Sequence, residues 1–206
     1  MRICLILILF LAPQFILHGQ NEPKSYLEFS FGISRHGTGD LPGYHFGTNY
    51  GKEFSNKFYW QLGFEGTLND SPGIPLFYEL SDGERVDATL HTVTSGFQIV
   101  TGIRYNFIQT TTQRFGLSIL PLLRYQATSL MDLDSVLFPA GTDLPYPVRS
   151  SIRFSPARTF AVGASLRLNY NFQIGDSFYL GLFGAVQLDS NGDTIPHFGL
   201  VLGKRI

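Results

Sequence analysis

Cysteine is almost missing from this chain of 206 residues. The single one, Cys4, lies in an apolar stretch near the N-terminus, so nothing downstream can form a disulfide or a thiolate metal site. An exported fold built without such staples needs another source of stability, and a sheet closed on itself supplies one. An excess of charge of one sign is missing too. The formal net charge is −1 and the basic residues are scattered, which excludes the electrostatic footprint of a nucleic-acid-binding protein.

Long hydrophobic runs are also scarce. The apolar run Ile3–Ala12, preceded by Met1-Arg2 and followed by Gly19-Gln20, is shorter than the roughly 20 residues a spanning helix needs. Its layout is that of a secretory signal peptide over residues 1–20, leaving 21–206 as one domain with no linker or repeat inside it. Downstream, no segment keeps a helical apolar period over three turns.

What is present is two-residue alternation. Leu27, Phe29, Phe31 and Ile33 oppose Glu28, Ser30, Gly32 and Ser34, and Phe58, Trp60, Leu62 and Phe64 oppose Tyr59, Gln61, Gly63 and Glu65. Similar segments begin near Tyr44, Val93, Phe115, Phe160, Phe178 and Phe198, which makes eight strands and an all-β chain. Pro121, on the apolar face of the fifth strand, cannot donate to a ladder and predicts a bulge or strand end there.

Alternation alone also suits a soluble barrel or sandwich, and three further features decide against that. Connections alternate in length: short ones lie near 55–57, 108–113 and 171–177, and longer ones at 36–43, 69–87 and 131–155, with 189–194 a short member of the second set. Aromatic residues gather beside the short links, namely Tyr50, Phe58, Trp60, Tyr105, Phe107, Phe115, Tyr170, Phe172 and Phe178, as in the girdle of a membrane barrel. Finally, the polar face carries Glu28, Glu53, Glu65, Arg104, Arg124, Arg167 and Arg205, charges that a dry core tolerates only in pairs. Inside a small barrel they predict a structural network, with Glu28 facing Arg205 where the first and last strands meet. The reading is an eight-stranded antiparallel up-and-down transmembrane β-barrel of the outer membrane, with both termini periplasmic.

The chain from Tyr26 to Ile206 resembles the small outer-membrane barrels that include the OmpA transmembrane domain, OmpX and OmpW. In style it is most similar to the PorT-type outer-membrane β-barrel domain. The resemblance rests on the topology, on glycine-containing strands such as Phe29–Ser34 and Phe160–Leu168, and on the ending Gly199-Leu-Val-Leu-Gly-Lys-Arg-Ile206. That ending resembles a C-terminal signal for the barrel-assembly machinery, although Ile206 stands where an aromatic residue is usual. The PorT-type likeness implies an accessory role in protein secretion.

No catalytic, cofactor or metal site is legible. His36, His45, His91 and His197 are dispersed over different strands and loops, without the spacing of a metal site. His91 precedes Thr92, Thr94 and Ser95, a base near hydroxyls as in lipid A enzymes, yet nothing else matches such an enzyme. The segment Asp189-Ser190-Asn191-Gly192-Asp193 has the start of a calcium loop without its glutamate, and Asn191-Gly192 reads better as a hairpin turn. The segments 69–87 and 131–155 mix carboxylates with apolar residues, so they are solvated strand extensions or a partner surface. The expected function is non-enzymatic, envelope-structural or loop-mediated interaction, with a narrow channel or transporter for a small or hydrophobic solute as the alternative. The expected partners are membrane lipid, lipopolysaccharide and the barrel-assembly machinery.

Overall fold

The structure, a computed structural model, describes residues 24–37, 41–71, 75–80 and 82–206. Segment 1–20, expected from its sequence to be a signal peptide, lies outside the described residues with Cys4 and His18.

Among the described residues, twelve strands run β1 (Ser25–His36), β2 (Leu41–Ser55), β3 (Phe58–Ser71), β4 (Phe77–Glu79), β5 (Arg85–Asp87), β6 (Thr92–Gln109), β7 (Gln113–Thr128), β8 (Leu133–Leu137), β9 (Val148–Ile152), β10 (Arg158–Ile174), β11 (Phe178–Asp189) and β12 (Thr194–Arg205), with one short helix, α1 (Pro139–Thr142). Eight strands close into an antiparallel barrel in the order β1-β12-β11-β10-β7-β6-β3-β2. Apart from the seam between β1 and β12, each barrel strand pairs with its neighbour along the chain, so the topology is up-and-down. Strands β4–β5 and β8–β9 form separate two-stranded hairpins within the two long connections.

At one end the links are Asn56–Lys57, Thr110–Thr112 and Gly175–Ser177. At the other end two links have four residues each, 37–40 and 190–193, and two are long, 72–91 and 129–157. The connection after the first strand is thus shorter than expected, because β1 and β2 keep pairing as far as His36 opposite Leu41. Alternation of length is carried by the two central loops.

Burial is inverted relative to a soluble protein. Ile119 and Leu200 are 58% and 54% exposed on the outside, whereas Gln61 and Arg124 on the inside are fully buried. Hydrocarbon makes that distribution stable, and a closed barrel leaves no open sheet edge within it. The barrel strands have 12 to 18 residues, enough to cross a bilayer at a tilt.

Pro121 produces neither a bulge nor a strand end. It lies opposite Ala164 in mid-strand, and towards β6 the ladder skips the Thr101–Pro121 and Gly102–Leu120 positions without a change of register. Thr101 instead donates its hydroxyl to the Gln61 carbonyl at 3.0 Å. The register shifts fall at the short-turn rim, between Glu53 and Ser55 and between Asn106 and Ile108.

Candidate functional site

The interior is built by alternation: every second residue of each strand points inward, and eight strands leave room only for side chains. In the half nearest the short turns, the Arg104 guanidinium donates to both oxygens of Glu28, at 2.7 and 2.8 Å. The Tyr179 hydroxyl (2.9 Å) and Asn171 Nδ2 (3.2 Å) donate to Glu28 Oε1 as well. Arg104 lies over the Tyr26 ring at 4.8 Å, and Gln61 donates to the Tyr26 hydroxyl at 2.7 Å.

Two of these rings occupy space left by glycine. Tyr26 covers Gly51 and Tyr179 covers Gly203, so a Cβ at either glycine would collide with a ring. This explains why Glu28 does not face Arg205. The position opposite Glu28 across the seam is Gly203, and Tyr179 fills the space above it. Arg205 pairs one step nearer the mouth, opposite Tyr26, and lines a recess of about 10 Å³ with Arg114 and Gln173. Such a recess has room for about one water. Glu53 is also at the mouth, where it accepts from the Tyr59 hydroxyl at 3.4 Å.

In the other half, Glu65 forms an ion pair with Arg167 and accepts from Asn49 (3.2 Å) and Gln98 (3.1 Å). Arg124 has no carboxylate within ion-pair distance among the described residues. It donates to Gln126 (2.9 Å), Gln98 (3.1 Å) and Thr67 (2.7 Å), and its guanidinium fills the space over Gly96. The seven charges read from the sequence therefore divide into two buried pairs, one arginine held by neutral groups, and two residues at the mouth.

The histidines are not all dispersed. His45 on β2 and His197 on β12 flank β1 and meet inside the barrel with ring centroids 4.7 Å apart. Beside them, inward Gly32 of β1 and Gly199 of β12 pair so closely that a Cβ on either would strike the backbone of the other strand. No group of three or more potential metal ligands occurs among the described residues. His91 Nε2 instead faces Asp70 Oδ1 at 3.1 Å in solvent, and the nearby Thr94 hydroxyl is bonded to Thr128.

On the exterior, the aromatic residues beside the short turns touch one another around the barrel. Phe58 meets Tyr105 (4.8 Å between centroids), Phe107 meets Phe115 (4.5 Å) and Phe115 meets Tyr170 (6.3 Å). Trp60, Phe172 and Phe178 are exposed on the same face, and Tyr50 is half-buried there.

The loop face consists of the two extra hairpins. Tyr78 packs on Phe138 at 5.5 Å, Arg85 lies 4.0 Å from the centre of the Phe77 ring, and Arg149 grips both oxygens of Asp134. Backbone N–H groups of Ser155 and Phe154, with the Ser155 hydroxyl, hold the Asp132 carboxyl below the usual carboxylate range and fix the base of the second hairpin. A cavity of about 180 Å³ lies between the hairpins, lined by Val86, Thr89, Leu90, Val136, Pro147 and Arg149 among others. Sequence reading left both hairpins as loops and gave no role to inward-facing Tyr26, Tyr59, Tyr179 or Phe183, although their strand parity places them inside.

No family model matches the chain, and no curated protein matches it in sequence. Solved structures do share its fold. Neisserial surface protein A superposes with a TM-score of 0.58 at 9% identity, covering 91% of this chain and all of that one. Ail, the attachment invasion locus protein of Yersinia pestis, in complex with the heparin analogue sucrose octasulfate, gives 0.53 at 12% identity, covering 90% of this chain and all of that one. These likenesses establish the small eight-stranded outer-membrane barrel fold, and they do not bear on the PorT-type family.

Proposed function

We propose that this barrel resides in the outer membrane as a closed, non-enzymatic element of the envelope, with both termini periplasmic and the two hairpins displayed outside. The observation that carries the reading is the commitment of the interior groups to one another. Both oxygens of Glu28 are taken by Arg104, and Glu65 is held by Arg167, Asn49 and Gln98. A solute crossing the lumen would have to break buried ion pairs, each costly to separate. Orientation follows from the usual arrangement of short periplasmic turns and longer external loops. His91 faces Asp70 and the Thr94 hydroxyl is bonded to Thr128, so these two are not paired as a base and a nucleophile.

The external hairpins then offer the surface for contacts outside the membrane, since Phe77, Leu133, Tyr146 and Phe154 on them are exposed. Single-channel recording of protein whose gel mobility shifts on heating tests the reading. A silent bilayer is the expected result, and steady conductance would overturn it in favour of a channel.

A further inference from the structure

The two ends of the barrel differ in charge. Among the described residues, Lys24, Lys52, Lys57, Arg114, Lys204 and Arg205 stand around the short turns, against Glu53 and Asp176. Around the long loops, ten Asp and Glu side chains among the described residues face five arginines. Two of the turn-end lysines point outward at the edge of the apolar band. Lys52 continues the exterior row Tyr44-Phe46-Thr48-Tyr50 of β2, and Lys204 continues Phe198-Leu200-Leu202 of β12.

We propose that the outer surface formed by β2, β1 and β12 at the turn end binds the phosphate of anionic phospholipids through Lys52 and Lys204. The inference rests on the membrane-spanning reading and adds a ligand to it. The two lysines are on the strands that flank β1, opposite Ser25 and Leu27 respectively, so about 10 Å of sheet separates them laterally. A headgroup fits that interval. Ser25 is small, and its hydroxyl accepts from the Tyr50 hydroxyl at 3.2 Å. Aromatic rings edge the surface on both sides, because Trp60 is the cross-strand partner of Lys52 and the Lys204 ammonium lies 5.4 Å from the centre of the Phe178 ring.

At this depth a lysine stem lies along apolar surface while its ammonium reaches the headgroups. The carboxylates nearby do not neutralise the pair by contact. Among the described residues, Glu53 accepts from Tyr59 inside the mouth, Asp176 is in the turn between β10 and β11, and the Ile206 oxygen accepts from the Ser25 backbone N–H. Placed at the turn end, the surface addresses the leaflet on the short-turn side.

Trp60 is the single tryptophan of the chain and adjoins Lys52, so its emission reports on this surface. Folded protein in neutral detergent would be titrated with phosphatidylglycerol, phosphatidylcholine and inorganic phosphate. A saturable change with phosphatidylglycerol alone is expected, weakened about thirtyfold in the Lys52→Gln/Lys204→Gln variant from two lost lysine–headgroup attractions. Equal responses to the two lipids, a response to inorganic phosphate at the same concentration, or unchanged phosphatidylglycerol binding by the double variant would each overturn the proposal. Heat-dependent gel mobility of both proteins is scored separately, because its loss would count against the membrane barrel itself and not against the lysines.

Discussion

The molecule contains the same contact twice in different surroundings. In the barrel, Arg104 grips both oxygens of Glu28, and in the second hairpin Arg149 grips both oxygens of Asp134. The side chains of the first pair are 3% and 2% exposed, whereas those of the second are 45% and 17% exposed. The geometry is alike and the energetics are not. Water screens the outer pair, and each of its members keeps hydration when the other is removed. Arg104 without Glu28 would keep the Ser118 hydroxyl as its acceptor among the described residues, where Arg124 has three neutral acceptors, so the inner pair holds the barrel mainly by what its rupture would leave behind.

The largest effect expected from this contrast is on the inner pair. Glu28→Leu strands Arg104 and should lower the unfolding free energy by about 3–5 kcal/mol, read from urea titration in lipid vesicles. Adding Arg104→Leu should restore most of the loss, since a pair of apolar groups is tolerated where a single charge is not. Arg149→Gln should leave the urea midpoint of the barrel unchanged. An equal loss from Glu28→Leu and Arg149→Gln would abolish the distinction.

A smaller effect is expected from filling space. A Cβ at Gly203 meets the Tyr179 ring, while one at Gly141 in α1 meets nothing within 4 Å. Gly203→Ala should therefore cost about 1–3 kcal/mol through overpacking, and Gly141→Ala should cost nothing that the same titration resolves.

The smallest effect is local and depends on pH. Asp132 is held below the usual carboxylate range by the Ser155 and Phe154 N–H groups. Its folded pKa is depressed, so the order it lends the second hairpin is present above the ordinary carboxylate pKa of about 4 and is lost as the pH falls through the lower folded value. Limited proteolysis within 129–157 should accelerate only in that acid range. Asp132→Asn should be cut readily at neutral pH, and cleavage that ignores pH in the parent chain would remove the assigned role.

Sequence pattern revealed the strands because period-two alternation is local: Leu27 through Ser34 shows its two faces without reference to any other segment. It also placed the aromatic residues beside the short turns, since height above a turn is counted along the chain. It could not reveal which charges meet. Glu28 finds Arg104 three strands away around the wall, a choice set by barrel radius and by the ring of Tyr179, neither of which is written near Glu28. The contact of His45 with His197 is hidden for the same reason, because it depends on the closure that brings β2 and β12 to either side of β1. The hairpins β4–β5 and β8–β9 escaped notice because strands of three and five residues are too short for alternation to stand out.

Glu28 also has a history within each folding event. Its partners Arg104, Asn171 and Tyr179 lie 76, 143 and 151 residues further along the chain. An assembly intermediate that holds only the first three strands carries this carboxylate without its guanidinium, and one that stops before β10 lacks two of its donors. The first strand thus constrains what must follow it: a sheet that closed without β6 would seal Glu28 in its lumen with no guanidinium to answer it, and one that closed without β10 and β11 would seal the pair short of two donors.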